Sequence, residues 1–196
     1  MKKMKTSAFR RLCLSLGIGL LVAAAAVMIA WQWNIRTSAQ RMEAYVHTLR
    51  TVMPEPQAAV AEARKDNTMP VFSAENTDFV GILELPRYGS VLPVCEDWGR
   101  VSRYPCRFSG SVYDGTMCIG ATTQKGQYGF YREIFVGDDL YFTDMTGAHY
   151  AYQVTDIRYE KHADQAALER RDADLTLFLK NMYAFEYIVI FCDAQG

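Results

Sequence analysis

Residues 131–154 read YREIFVGDDLYFTDMTGAHYAYQV. The runs DDLYFTD and HYAYQV are rich in Tyr, Phe, Val and Leu, which suit a pleated, half-buried strand. MTGA between them carries the glycine of a tight turn, so the stretch is expected to be a β-hairpin. Working outward, the same texture recurs in FVGILEL, SVLPV and TMCIGAT on one side, and in AHYAYQVTDIRY, DLTLFL and EYIVIFC on the other. Gly, Pro and Asp separate these runs, giving at least seven strands. Only ADQAALERR interrupts with helical character. The expected architecture is mostly β, a closed or nearly closed barrel of seven to eight strands with short helices.

The N-terminal part follows other rules. Lys2, Lys3, Lys5, Arg10 and Arg11 precede any acidic residue, and Leu12 to Ile35 contains no charge. That apolar stretch is long enough to cross a bilayer as a helix, with Trp31 and Trp33 suited to the far interface. Basic residues before it place the N-terminus in the cytosol and the remainder outside the cell membrane, as a single-pass signal anchor. A cleaved signal peptide is the alternative, with Thr37-Ser38-Ala39 as a small-residue cleavage site, although cleaved apolar regions usually run only ~7–15 residues. Beyond the span, Met42, Tyr45, Val46, Leu49 and Val52 recur at helical spacing until Pro54 ends the pattern. PQAAVAEARK reads as a second short helix, opening with Pro56. The organisation expected is a basic tail (1–11), a membrane span (12–35), a helical stalk and linker (36–77) and a β-barrel domain (78–196).

Without the five leading basic residues, 16 basic residues face 22 acidic ones, a net charge of −6. A body of that sign gives no reason to expect nucleic acid as a partner. His47, His149 and His162 are scattered and the cysteines form no CxxC pair, so neither a metal site nor a cofactor is expected. An extracellular setting permits disulfides. Cys95 with Cys106, and Cys106 with Cys192, are both open as pairs, as are buried thiols for Cys95, Cys106, Cys118 and Cys192.

From about residue 78 to 193 the chain resembles the sortases, membrane-anchored cysteine transpeptidases of Gram-positive cell surfaces. TDFVGILELPRYGSVLPV resembles the family's opening strands, and CRFSGSVYDGTMCIG the segment leading to its catalytic histidine. The hairpin at 131–154 resembles a family pattern with GD, T-D and Y-x-Y-x-V at matching intervals, and DLTLF the strand that bears the catalytic cysteine. The order and spacing of these fragments carry the resemblance. It implies attack on a Thr-Gly peptide bond of a cell-wall sorting signal, a thioester intermediate, and transfer to an amine.

The residues that would perform this are changed. Aligned without gaps, MCIGAT places Thr122 at the family's histidine and DLTLFLK places Lys180 at its cysteine. The arginine, seven positions on in a common spacing, falls at Tyr187. A lysine would form a stable amide where turnover requires a labile thioester, and a threonine hydroxyl does not titrate near neutral pH. Tyrosine offers one neutral hydrogen bond to a developing oxyanion and no fixed charge. Triad members act as a unit, so loss of all three leaves little beyond binding. Cys192 lies on the strand EYIVIFC on the same face as Ile188 and Ile190, which reads as a core position or a disulfide rather than a nucleophile.

Three readings follow. The first is a membrane-anchored, cell-surface pseudo-sortase with no working catalytic residues, which binds a sorting-signal-like peptide, a pilin or an active sortase. The second is an enzyme, a transpeptidase or hydrolase using Cys192, or a hydroxyl-lysine pair of Thr122 and Lys180. The third is a structural module with a closed groove whose stalk self-associates.

Overall fold

A computed structural model of the chain describes residues 3–54, 57–58, 68–124, 126–161, 173–181, 184 and 186–195. It divides into two compact units, Met1–Thr37 and Ser38–Gly196. The described residues of the first are helical. They are the N-terminal part of α1, which runs from Lys3 to Val52 without a break. Leu12, Leu14, Leu16, Ile18, Leu20, Val27, Ile29 and Trp33 stand exposed on it, and its apolar run is long enough to cross a membrane. This apolar helix is compatible with a membrane anchor.

In the second unit, eight strands close on one another. They are β3 (Thr77–Leu85), β4 (Ser90–Cys95), β5 (Cys106–Ser109), β6 (Met117–Thr122), β7 (Asp139–Asp144), β8 (Ala148–Glu160), β9 (Leu175–Lys180) and β10 (Tyr187–Ala194). Neighbours run β3-β4-β5-β6-β9-β10-β8-β7 and return to β3. The pairs β4/β5 and β6/β9 are parallel and the other six antiparallel. Two short strands, β1 (Gln57–Ala58) and β2 (Phe72–Ala74), add to β8 and β3. Closure pairs the backbone groups that an open sheet edge would expose. This is the mostly β, closed barrel expected from the sequence, and β5, only four residues long, is the barrel strand that the strand count lacked.

The hairpin forms as expected. β7 and β8 pair from Asp139↔Gln153 to Thr143↔His149, and the turn uses Gly147 at φ 80°. Asp144 holds that turn, accepting hydrogen bonds from the backbone N–H of Thr146 (2.8 Å) and Ala148 (3.0 Å). PQAAVAEARK departs from expectation where it is described. Gln57 and Ala58 are extended and pair in parallel with Ala148 and His149, because the edge of β8 offers backbone partners that outweigh weak local helical preference. The remainder of that segment, like ADQAALERR, lies outside the described residues.

Strand alternation builds two apolar layers from the same strands. Met117, Ile119 and Ala121 of β6, Leu175, Leu177 and Leu179 of β9, and Ile188, Ile190 and Cys192 of β10 face the barrel interior, together with Leu83, Leu140 and Phe142. On the outer face, Cys118, Phe178, Val189 and Phe191 form a second cluster, against which Phe108 and Tyr187 pack. The last turns of α1 join the interior cluster through Met42, Val46 and Leu49. Tyr45 packs tilted against Phe79 and edge-on against Tyr104, at centroid distances of 5.1 and 5.8 Å. Burial of such side chains stabilises by roughly 1.5–3 kcal/mol each.

Candidate functional site

Thr122 ends β6, Lys180 ends β9 and Tyr187 opens β10. The parallel β6/β9 register sets Thr122 opposite Lys180, and the antiparallel β9/β10 register sets Tyr187 opposite the same lysine. The three residues taken from separate stretches of sequence therefore form one row across three adjacent strands, with Lys180 in the middle. Paired strands lie about 4.7–4.9 Å apart, so the row is within side-chain reach throughout. The next outer rows are Gly120, Phe178 and Val189, then Cys118, Thr176 and Phe191. The outer face thus has a polar row at one end and an apolar floor leading away from it.

Lys180 opens to solvent, Tyr187 is half-buried and Thr122 is 4% exposed. The hydroxyl of Thr122 has no hydrogen-bond partner among the described residues. Its backbone is held firmly: its N–H donates to the side-chain Oε1 of Gln127 at 2.9 Å, and the N–H of Thr123 donates to the carbonyl of Lys180 at 3.1 Å. Gln127 in turn donates from Nε2 to the carbonyl of Val101 at 3.5 Å. This residue was not singled out in the sequence, because a glutamine in a loop carries no periodicity or motif.

The floor is roofed by Trp98. This residue sits in a single 3-10 turn, Trp98–Arg100, whose first N–H groups are capped by the Asp97 carboxylate, with Gly99 N–H at 2.9 Å. The indole packs edge-on against Phe108 at 4.9 Å and tilts over Phe178 at 5.4 Å. Gly120 makes this approach possible, since a Cβ there would fall 2.5 Å from the indole ring and 2.6 Å from the Phe178 ring. Trp98 keeps 38% of its surface exposed, so the aromatic cluster opens to solvent at one side. The sequence offered a signal in EDWGR, an Asx-type turn that presents a tryptophan.

Cys192 lies apart from this row. It pairs with Leu175 at the other end of β9, faces the interior and is fully buried. Burial raises its thiol well above the ordinary cysteine range, and Asp193 adds to the effect. An activated cysteine requires the opposite, a stabilised thiolate. The ring of His149 is engaged elsewhere: its Nδ1 is 3.0 Å from the Thr143 hydroxyl and its face stacks on Tyr141. His162 lies outside the described residues.

Two cavities flank this face unequally. One of about 640 Å³, lined in part by Asp114, His149, Tyr152, Asp174 and Gln195, lies at the end of β9 and β10 remote from Lys180. Another of about 530 Å³, lined in part by Tyr88, Thr123, Gln127, Phe130 and Glu133, lies immediately beyond the end of β6. The smaller one takes in Thr123 and Gln127, the neighbour and the hydrogen-bond partner of Thr122, but none of Thr122, Lys180 and Tyr187 lines either cavity. Among the described residues, no group of His, Cys, Asp and Glu side chains has the arrangement of a metal centre.

No protein-family model matches the sequence, and no curated protein sequence matches it. Solved structures do. Sortase C1 from Streptococcus agalactiae is 17% identical at a TM-score of 0.53, over 63% of this chain and 71% of its own. Sortase C from Clostridium perfringens, solved with the C-terminal cell wall sorting motif, is 16% identical at 0.52, over 67% and 78%. A lid mutant of sortase A from Corynebacterium diphtheriae is 14% identical at 0.51, over 61% and 72%. With its eight strands closed in the order described and these likenesses in hand, the barrel of this chain has the sortase fold.

Proposed function

We propose that the chain is a membrane-anchored pseudo-sortase, which binds a sorting-signal-like peptide on the outer face of β6, β9 and β10 without cleaving it. The observation that carries this is the single row of Thr122, Lys180 and Tyr187, in which the positions aligned to a histidine, a cysteine and an arginine adjoin one another. A row so placed has lost sulfur, imidazole and guanidinium together. Its solvent-open lysine and the exposed side of Trp98 remain suited to an extended peptide, with main-chain carbonyls near the ammonium and a side chain against the indole. In this reading the N-terminus is cytoplasmic and the barrel lies outside the cell membrane, where a sorting signal, a pilin or an active sortase is met.

The test is binding and turnover of a fluorescent sorting-signal peptide by the full-length chain in detergent. The expected result is saturable binding that weakens on Trp98→Ala, with the peptide recovered intact. Absence of binding by the folded chain defeats the proposal.

The hydroxyl of Thr122, buried and without a described partner beside Lys180, favours one second reading, a hydroxyl-lysine hydrolase. There, Lys180 would have to be neutral, which requires desolvation or a neighbouring cation, whereas its side chain is exposed. Ester hydrolysis lost on both Thr122→Ala and Lys180→Ala would establish that reading in place of the first.

A further inference from the structure

Cys95 ends β4 and Cys106 opens β5, and they are the one Cα pair through which these parallel strands are joined. Both are fully buried within the interior cluster. Paired strands lie about 4.7–4.9 Å apart, inside the roughly 4.4–6.8 Å Cα range of disulfides. Each thiol donates to a nearby carbonyl, Cys95 to Asp97 (3.7 Å) and Cys106 to Tyr104 (3.3 Å), and the two sulfurs are near enough to perturb each other's titration. Cys106 with Cys192, the other pairing open from sequence, is separated in the sheet by β6 and β9.

The segment between the two cysteines holds what the candidate site leans on. Residues 96–105 carry Trp98, which covers Gly120 and Phe178, and Val101, whose carbonyl anchors the glutamine that holds Thr122. The same segment is tied to its surroundings by Arg100, which donates to the Asn76 carbonyl at 2.8 Å, and by Arg107, which pairs with Glu96.

We propose that Cys95 and Cys106 are a disulfide-forming modification site, oxidised by a disulfide-bearing donor, and that the bond closes the 96–105 loop and fixes Trp98 over the outer face. The part concerning peptide access rests on the reading of that face as a peptide groove. In the reaction, the Cys95 thiolate attacks one sulfur of the donor disulfide. The donor S–S bond breaks, and its first thiolate leaves and takes up a proton. The Cys106 sulfur, losing its proton, then attacks the Cys95 sulfur of the mixed disulfide and expels the second donor thiol. Two protein thiols are oxidised and one donor disulfide is reduced to two thiols. Each sulfur perturbs the other, lowering the Cys95 thiol and raising that of Cys106, and the exchange balances equally with their roles reversed. Because both sulfurs are buried, exchange proceeds through local opening of the exposed loop.

The test uses the full-length chain in detergent, reduced or treated with oxidised glutathione, with Trp31→Phe and Trp33→Phe so that fluorescence reports Trp98 alone. The expected result is a mass lower by two hydrogens, a dithiothreitol-reversible cross-linked peptide joining Cys95 to Cys106, and reduced acrylamide quenching of Trp98. The melting temperature should rise by roughly 5–10 °C, as closure of a short loop in a domain of this size implies. Cys106→Ala should abolish all of these; should that variant fail to fold, the comparison of reduced and oxidised parent chain decides alone. No bridge in the folded chain, a bridge to Cys118 or Cys192 instead, or a bridge that leaves Trp98 quenching unchanged would overturn the proposal. A correct bridge in a chain that binds no sorting-signal peptide in either state would count against the groove reading and leave the modification site standing.

Discussion

The strands β6, β9 and β10 present two faces made from alternate residues of the same short sequences. The inner face is aliphatic and continuous, with Ala121, Leu179 and Ile188 one layer behind the polar row and Cys192 at its far end. The outer face is uneven: Lys180 in solvent, a buried threonine hydroxyl, a half-buried tyrosine, then an aromatic floor. Inside, any side chain of suitable shape maintains the barrel, so the sortase fold persists at low identity. Outside, acyl transfer demands particular atoms, and in the reading proposed above Thr122, Lys180 and Tyr187 stand where those atoms would be, on strands that share one register. Fold and chemistry thus depend on different faces of one sheet, which is why the first gives no warrant for the second.

The contrast is sharpest in stability. Leu177→Ala on the inner face should cost about 2–5 kcal/mol in denaturant unfolding, as truncation in a packed core does. Lys180→Ala on the outer face should change stability by less than about 0.5 kcal/mol. Equal losses from the two would break the distinction. Gly120→Ala comes next, because the added methyl must displace Trp98 or Phe178, at about 1–3 kcal/mol and with a visible change in Trp98 fluorescence.

Tyr128 supplies a smaller effect from the inner side. It is fully buried and its hydroxyl has no partner among the described residues, so Tyr128→Phe should stabilise by about 1 kcal/mol. Burial, helped by nearby Cys192, raises the phenol above the ordinary tyrosine range. The folded chain therefore keeps that proton where the unfolded chain loses it. The associated stability is present below about pH 10 and declines as pH rises beyond it. Thermal melts should show this decline in the parent chain and a shallower one in Tyr128→Phe.

How much of this was legible in the sequence differs by face. The hairpin at 131–154 and the alternation in LTLFLK and YIVIFC were readable because apolar spacing of two has few other meanings. The row of Thr122, Lys180 and Tyr187 emerged from alignment to a family pattern, and the strand registers then joined three distant positions. The helical spacing at Met42, Val46 and Leu49 was also plain, yet periodicity shows that a stripe is buried and not what covers it. In the fold the stripe packs with buried barrel side chains, and beside it Tyr45 meets Phe79 and Arg50 pairs with Glu84 of β3. Strand β5, and the Trp98 and Gln127 contacts, were hidden because they arise from a four-residue strand and from loop side chains, whose partners only tertiary structure selects.

The most direct measurement of the central claim is a transpeptidation and hydrolysis assay of the full-length chain with sorting-signal peptides, alongside the triple variant Thr122→His, Lys180→Cys, Tyr187→Arg. The account predicts no cleaved product and no acyl-enzyme mass in the parent chain, with thioester formation appearing only in the variant. Product from the parent chain that vanishes on Cys192→Ala, or on Lys180→Ala, would contradict it.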